Sequence, residues 1–328
     1  MNMISYKFIF FFIFFEIVGF STRSKIYIAG HTGLIGSSLT KLLREKNYTN
    51  LVLKTSTELD LRKQDDVEAF FREESPEYVF LLAARAGGVG VNLYYPDLLY
   101  DNIMIVSNVL CAAKNHGVKK LIFVASACVY PLNSKQPINE KSFLGGKLEF
   151  LNIDYILSKI IGIRLCQQYN KYYDTNFIIC TPNNLYGPGD SFTSNKSHVI
   201  PALINRFYEA KIYNKNEVIV FGTGNARREF IFVDDMADAL IYLMQNYNEN
   251  EIINIGVGYD ISLKDLAYKI KELVGFEGKI IFDSDKPEGI SQRLLDSSKL
   301  FNYGWHPSIN LDKGLKVTYE YFLENTKK

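Results

Sequence analysis

"KIYIAGHTGLIGSSL", residues 25–39, begins as an apolar run, breaks at Gly30, and repeats glycine at Gly33 and Gly36 before an amphipathic stretch takes over. The first five residues read as a buried strand and Leu34–Lys46 as a helix with one apolar face. Glycines between a strand and a helix let the backbone turn tightly and come close to a diphosphate, whose charge then rests on the helix N-terminus. Spaced glycines alone prove little, because turns and helix ends use them freely. Placed in the first strand–helix connection, they point to a dinucleotide site built from Gly30, His31, Thr32, Gly33, Leu34, Ile35 and Gly36.

Outward from this turn the same alternation continues. "NLVLK", "EYVFLLAA", "KKLIFVAS" and "NFIICT" read as strands, and "KQDDVEAFFREE", Asp97–His116 and Asp154–Tyr173 as helices between them. Short strands alternating with helices imply an α/β fold with a doubly wound parallel sheet. After about Pro182 the loops lengthen, as in "NNLYGPGDSFTSNKSH", and Val199–Ala210 reads as a helix between short strands. "KIIFDSDKPEG" reads as a loop where Pro and Gly come together. The expected organisation is an apolar extension over 1–24, a nucleotide-binding domain over 25–182, and a smaller substrate-binding lobe over 183–328 with some segments returning to the first domain.

Composition narrows the function classes. With 328 residues, 47% hydrophobic and a net charge of +1, the chain is an ordinary globular one without the basic field that nucleic-acid binding requires. The four cysteines, Cys111, Cys128, Cys166 and Cys180, match no metal-ligand spacing, so no metal site and no disulfide framework is expected. "FIFFFIFFEIVGF", Phe8–Phe20, is too short to span a bilayer and is interrupted by Glu16. It suits a signal-peptide core, with Gly19-Phe20-Ser21 as a cleavage site, or an extension outside the fold. No stable membrane span is expected.

Three further features carry chemistry. The second strand ends "LKTSTE", and Lys54 there favours a cofactor with a 2′-phosphate, while Glu58 lies late for binding a free ribose hydroxyl. "DYILSKIIG" sets Tyr155 and Lys159 four apart, on one face of a helix. Both residue types are common here, so the spacing counts only because it opens the helix after the strand that ends at Ser126. A lysine ammonium near a phenol lowers the phenol's pKa and makes Tyr155 a workable proton donor or acceptor. In "ASACVYP", residues 125–131, strand-like alternation would put Ser126 and Cys128 on one face, a hydroxyl beside a thiol.

The glycine turn, Ser126 and Tyr155-Lys159 resemble the extended short-chain dehydrogenase/reductases that act on nucleotide sugars. The likeness runs from about Lys25 to the C-terminus through "AGHTGLIGSSL", "ASACVYP", "QPINE", "NNLYGPGDSF", "SHVIPALI", "RREFIFVDDMA" and "LLDSSKL". It is closest to the branch that epimerises and then reduces GDP-4-keto-6-deoxy-D-mannose. The resemblance implies a Rossmann-type sheet, NADP(H), a GDP-sugar substrate and a homodimer built on the two long helices. It implies a catalytic set of Ser126, Cys128, Tyr155, Lys159 and His198, with Cys128 and His198 exchanging protons at C3 and C5. Cofactor contacts carried over are the Gly30–Gly36 turn, Val124, Ala125, Lys159, Pro182, Asn183, Asn184, Leu185 and His198. Arg206 and Arg228 would hold the diphosphate, since guanidinium groups suit bidentate phosphate binding. Phe221, where the family is expected to carry Trp, and Asp296 would contact the base or sugar.

The chain departs from the family pattern at Thr32, where Arg is common, at Ser56, near which a second basic residue is usual, at Asn183, where Thr is usual, and at Gly189, where His is usual. A nucleotide-sugar 4-epimerase or 4,6-dehydratase would use the serine, tyrosine and lysine but has no call on Cys128, and a dehydratase needs an acidic pair that "SACVY" lacks. A non-catalytic NADP-binding scaffold would need no acid–base set. His198 could instead be a helix cap, and Cys128 could simply fill space. GDP-sugar and NADPH supply imply a cytoplasmic enzyme, and Phe8–Phe20 the secretory pathway.

Overall fold

The computed structural model describes residues 20–87, 95–192, 197–286 and 289–326. The segment Phe8–Gly19 and Pro287 of "KIIFDSDKPEG" lie outside the described residues. In chain order the elements are β1 (Ile26–Ala29), α1 (Leu34–Glu45), β2 (Leu51–Val52), α2 (Gln64–Glu74), β3 (Tyr78–Leu81), α3 (Leu98–Asn115), β4 (Lys120–Val124), α4 (Ile153–Tyr173) and β5 (Phe177–Pro182). There follow β6 (Asn184–Tyr186), α5 (Val199–Ile212), β7 (Glu217–Phe221), β8 (Arg227–Arg228), β9 (Phe230–Phe232), α6 (Val233–Asn246) and β10 (Ile252–Ile255). The chain ends with β11 (Ile261–Ser262), α7 (Leu263–Val274), β12 (Lys279–Asp283), β13 (Gln292–Arg293), α8 (Ser298–Asn302) and α9 (Leu311–Thr326). "KIIFD" is therefore a strand, paired in parallel with β7, where the Pro-Gly ending had suggested only a loop.

Six strands form the central sheet in the order β10-β5-β4-β3-β1-β2, and every pair is parallel. A parallel sheet needs cover on both faces, so its strands are apolar throughout rather than alternating. Tyr27, Val79, Leu121 and Phe123 pack against Val67, Phe71, Val109 and Ile163 of α2, α3 and α4. Ile26, Ile28, Phe80 and Ile122 face the other way, onto Leu39 and Leu43 of α1 and Met236 and Leu240 of α6. Lys120 is the one cation inside these strands. Its ammonium donates to the Leu243 and Met244 carbonyls at 3.1 and 2.7 Å, near the end of α6.

A third apolar cluster lies beyond the sheet, where Ile204 and Phe207 of α5, Val218 of β7, Ile270 of α7 and Leu315 of α9 meet. α6 and β10 belong instead to the first sheet, so the later part of the chain returns to it.

The chain runs outward from β1 to β2 and then comes back to place β3 on the other side of β1. The loops after β1 and β3 thus leave from neighbouring strand ends, the switch point where open α/β sheets bind ligands. They touch closely. A Cβ on Gly30, whose φ is +90°, would come within 2.9 Å of the Ala83 nitrogen. A Cβ on Gly36 would sit 2.1 Å from the Gly30 carbonyl oxygen, so only glycine lets α1 begin against the turn.

Candidate active site

The glycine turn presents bare backbone at the start of α1. Gly33 is the N-cap, and no side chain caps the helix there. The buried Nδ1 of His31 has no hydrogen-bond partner among the described residues. An uncapped helix N-terminus, a turn cleared of side chains and an unmet imidazole nitrogen fit an anionic diphosphate. At the end of β2, the Glu58 carboxylate accepts from the Thr55 N–H at 2.8 Å and from its hydroxyl at 2.6 Å. Both bonds fall on one carboxylate oxygen, which ties Glu58 to its own turn, and half-buried Lys54 lies close by. Lys41 and Arg44 line the neighbouring cavity with His31 and Leu53.

β4 delivers the next group. The Ala125 N–H bonds the Cys180 carbonyl at 2.8 Å, and the chain then leaves the sheet. It does so as a short 3-10 turn over Ala127–Val129, not as the strand extension that would align Ser126 with Cys128. Ser126 is the N-cap of that turn, its hydroxyl accepting the Cys128 N–H at 3.4 Å. Small residues suit either geometry, and here the capping bond favours the turn. Behind it, the Tyr130 hydroxyl donates to Asn254 Oδ1 at 2.6 Å, while the Asn254 N–H bonds Glu140 of "QPINE" at 3.1 Å.

α4 brings Tyr155 and Lys159 over this turn. Its close approach to the sheet depends on Gly162, where a Cβ would lie 2.3 Å from the Phe123 ring. Lys159 is buried and donates to the Val124 carbonyl at 2.8 Å, with its nitrogen 5.5 Å from the centre of the Tyr155 ring. Burial lowers this ammonium to about 8. The expected lowering of the Tyr155 pKa is overturned. Burial pushes the phenol well up, the Cys128 charge adds to that, and the ammonium is turned to a carbonyl. Burial likewise raises the Cys128 thiol; the Ser126 hydrogen bond, then Arg293 and Lys159, pull it down.

Ser126, Cys128, Tyr155 and Lys159 are thus brought together. His198 arrives from another element, as the N-cap residue of α5 by position, though its side chain makes no cap bond. Its Nδ1 instead lies 3.4 Å from Asp190 Oδ1. The Asp190 bond raises the imidazole's pKa and burial opposes it.

Of the expected substrate contacts, Arg206 lies over the Phe221 ring at 5.1 Å and donates to the Ile219 carbonyl at 2.7 Å. Arg228 lies in β8, beside β13. Asp296 spends its oxygens locally, accepting from the N–H and hydroxyl of Ser298 and from Asn139. Pro182 ends β5, and Asn184 and Leu185 pair with β9. Asn183 donates to Glu229 at 2.7 Å and to the Arg293 carbonyl at 3.2 Å.

Sequence reasoning missed Asp190, Glu229, Arg293 and Glu149. Arg293 pairs with Glu149 at 3.3 Å, both near the thiol. Glu229 is wholly buried and also accepts the N–H groups of Val257, Gly258 and Leu295. "RREF" did offer a signal, an acid between two basic residues and a buried strand.

A parallel sheet with a glycine turn at its switch point, and a serine, tyrosine and lysine gathered over the next strand ends, define a dinucleotide-binding oxidoreductase or epimerase of the extended short-chain type. The chain belongs to the NAD dependent epimerase/dehydratase family, whose model matches residues 26–256. It is 47% identical to GDP-L-fucose synthase 1 of Arabidopsis thaliana, over 94% of this chain and 97% of that one. Among solved structures, it resembles a GDP-6-OMe-4-keto-L-xylo-heptose reductase from C. jejuni (TM-score 0.88, 40% identity, 94% of this chain and 99% of that one). It also resembles a GDP-L-fucose synthetase from Naegleria fowleri bound to NADP (TM-score 0.87, 28% identity, 95% and 97%). The family resemblance read from the motifs is borne out.

Proposed function

We propose that this enzyme converts GDP-4-keto-6-deoxy-D-mannose to GDP-L-fucose with NADPH, inverting C3 and C5 before reducing C4. The observation that carries the reading is the thiol of Cys128 held beside the Ser126, Tyr155 and Lys159 set, because neither a simple reductase nor a 4-epimerase requires it. The names of the relatives support it.

The ketone at C4 acidifies the protons on C3 and C5. Cys128 and His198 exchange them, one removing a proton and the other returning one from the opposite face. The Ser126 and Tyr155 hydroxyls stabilise the enolate oxygen meanwhile. Once both centres are inverted, Tyr155 gives its proton to the C4 oxygen, and burial suits this by keeping the phenol protonated until then. NADPH, when bound, supplies hydride to C4. The Gly30–Gly36 turn, Lys54, Val124, Ala125, Lys159 and Pro182–Leu185 hold that cofactor. Arg206 and Arg228 take the substrate diphosphate, and Phe221 and Asp296 its base or sugar. A cytosolic homodimer is part of this reading, supported by exposed Tyr100 on α3 and by Leu157, Tyr172 and Tyr173 on α4. Among the described residues no helix is long and apolar enough to cross a membrane.

A second reading, reduction of a GDP-4-keto sugar without epimerisation, is supported by the C. jejuni reductase. One experiment separates the two. The purified protein is given GDP-4-keto-6-deoxy-D-mannose and NADPH, or in a parallel run NADH, in deuterium oxide. The first reading expects NADPH oxidation, GDP-L-fucose, and deuterium at C3 and C5. Oxidation without deuterium establishes the second, and no oxidation of NADPH or NADH sinks both.

A further inference from the structure

We propose that Asp190 is a positioning residue for His198: its buried carboxylate takes the Nδ1 side of the ring and thereby commits Nε2 to proton transfer with the sugar. This rests on the epimerase reading above.

The argument begins in the turn "YGPGD". Gly187 and Gly189 adopt φ of +147° and +91°, which folds the chain back so that the Asp190 N–H meets the Gly187 carbonyl at 3.3 Å. Gly189 rests against α1, where a Cβ would lie 3.3 Å from Ser37 Oγ. The turn is therefore docked on the helix that opens the dinucleotide site. From it, Asp190 points inward, its side chain only 5% exposed, while the His198 side chain is 50% exposed.

Nothing in the folding of this turn calls for an acid. Oδ1 accepts the Ser191 N–H at 2.8 Å, a bond that asparagine would make equally well. Oδ2 is buried and without a hydrogen-bond partner among the described residues. Burying an ionised carboxylate is costly unless a charge or donors compensate. Among the described residues, no lysine or arginine pairs with Asp190, and the compensating group is the imidazole.

The imidazole in turn needs it. His198 stands at the N-terminus of α5, where the helix dipole disfavours a cation. An acid behind Nδ1 reverses that preference and holds the ring in one tautomer and one orientation. Nε2 then faces away from Asp190, able to carry a proton to a sugar carbon.

The test reads the imidazole directly. The chain has four histidines, so NMR titration of ring-labelled protein resolves them, with His198→Asn assigning the signal. In the wild type His198 is expected to titrate above the ordinary value of about 6.5, and in Asp190→Asn lower than in the wild type. Deuterium exchange at C3 and C5 should fall about 10- to 100-fold in that variant, with KM and NADPH binding within about two-fold, and Asp190→Glu should recover part of the rate. An unmoved His198 titration, or exchange within two-fold of wild type, overturns the proposal. Absence of exchange in the wild type overturns the epimerase reading instead, and the titration still decides the pairing.

Discussion

The Lys159 ammonium donates to the Val124 carbonyl at 2.8 Å and stands 5.5 Å from the centre of the Tyr155 ring. It is thus tied to the end of β4 and close to the phenol without being bonded to it. In the resting enzyme, burial keeps the phenol protonated. The cation acts when the proton leaves, because a phenolate forming next to an ammonium is stabilised there and not before.

That arrangement predicts a pH limit on reduction. Burial lowers the Lys159 pKa to about 8, so the ammonium loses its proton as pH rises through that value, well before an exposed lysine would. The kcat/KM for the 4-keto sugar should decline above about pH 8. Tyr155→Phe should lower reduction by about 10²- to 10⁴-fold at every pH, with NADPH affinity preserved. A rate that stays level to pH 10 would remove the ammonium from the reaction.

Cys128 separates epimerisation from reduction. Its thiol is buried and raised, with the Ser126 hydrogen bond, Arg293 and Lys159 favouring the thiolate. Serine is similar in shape, slightly smaller, and replaces the thiol with a far less acidic hydroxyl. Cys128→Ser should therefore slow deuterium entry at C3 and C5 by about 10²-fold or more while binding NADPH as the wild type does. Deuterium entry at the wild-type rate would make the thiol a packing group.

Much of this fold was legible from local pattern, and the reason is physical. The continuous apolar runs of β1, β3, β4 and β5 and the apolar faces of α1 and α2 follow from burial on one or both sides. The Gly30–Gly36 turn follows from backbone sterics. The site was legible where a residue's role lies in its own turn of chain, as for Tyr155 and Lys159. It was not legible where the partner is distant. Glu229 meets donors from Asn183 to Leu295, and no local signal foretells which strands converge on it. Asp190 and His198 are eight residues apart, across a stretch of sequence with no periodicity. The Ser126–Cys128 turn escaped because small residues permit both a strand and a 3-10 turn. The Tyr155 expectation failed because spacing measures proximity to Lys159 but not burial, and burial is the larger effect.

Glu229 tests how far the substrate side depends on one buried carboxylate. Its two oxygens accept N–H groups from Asn183, Val257, Gly258 and Leu295 at 2.7–3.0 Å, which ties the end of β5 to β10 and to the strand after Arg228. Glutamine would turn an NH₂ towards two of those donors whichever way it flips. Each buried donor left unmet costs about 1–3 kcal/mol, so Glu229→Gln should lose about 2–6 kcal/mol in denaturant unfolding. A variant as stable as the wild type would show that the network can rearrange around the amide.

Gly162 makes the last link, from packing to chemistry. It lies one turn beyond Lys159 on α4, and an added Cβ would meet the Phe123 ring at 2.3 Å and Val106 at 2.9 Å. Phe123 is in β4 and Val106 in α3, both in the core, so neither has room to move aside. Alanine raises helix propensity by about 1 kcal/mol, and overpacking opposes that by about 1–3 kcal/mol. Net stability should therefore change by little or fall slightly. The larger consequence is geometric, because the relief available is to lift α4 away from β4, and α4 carries both Tyr155 and Lys159. Gly162→Ala should cut kcat for reduction about 10- to 100-fold with KM nearly unchanged. A fall in stability of several kcal/mol with kcat intact would mean that the clash is absorbed by Phe123 and that α4 keeps its seat.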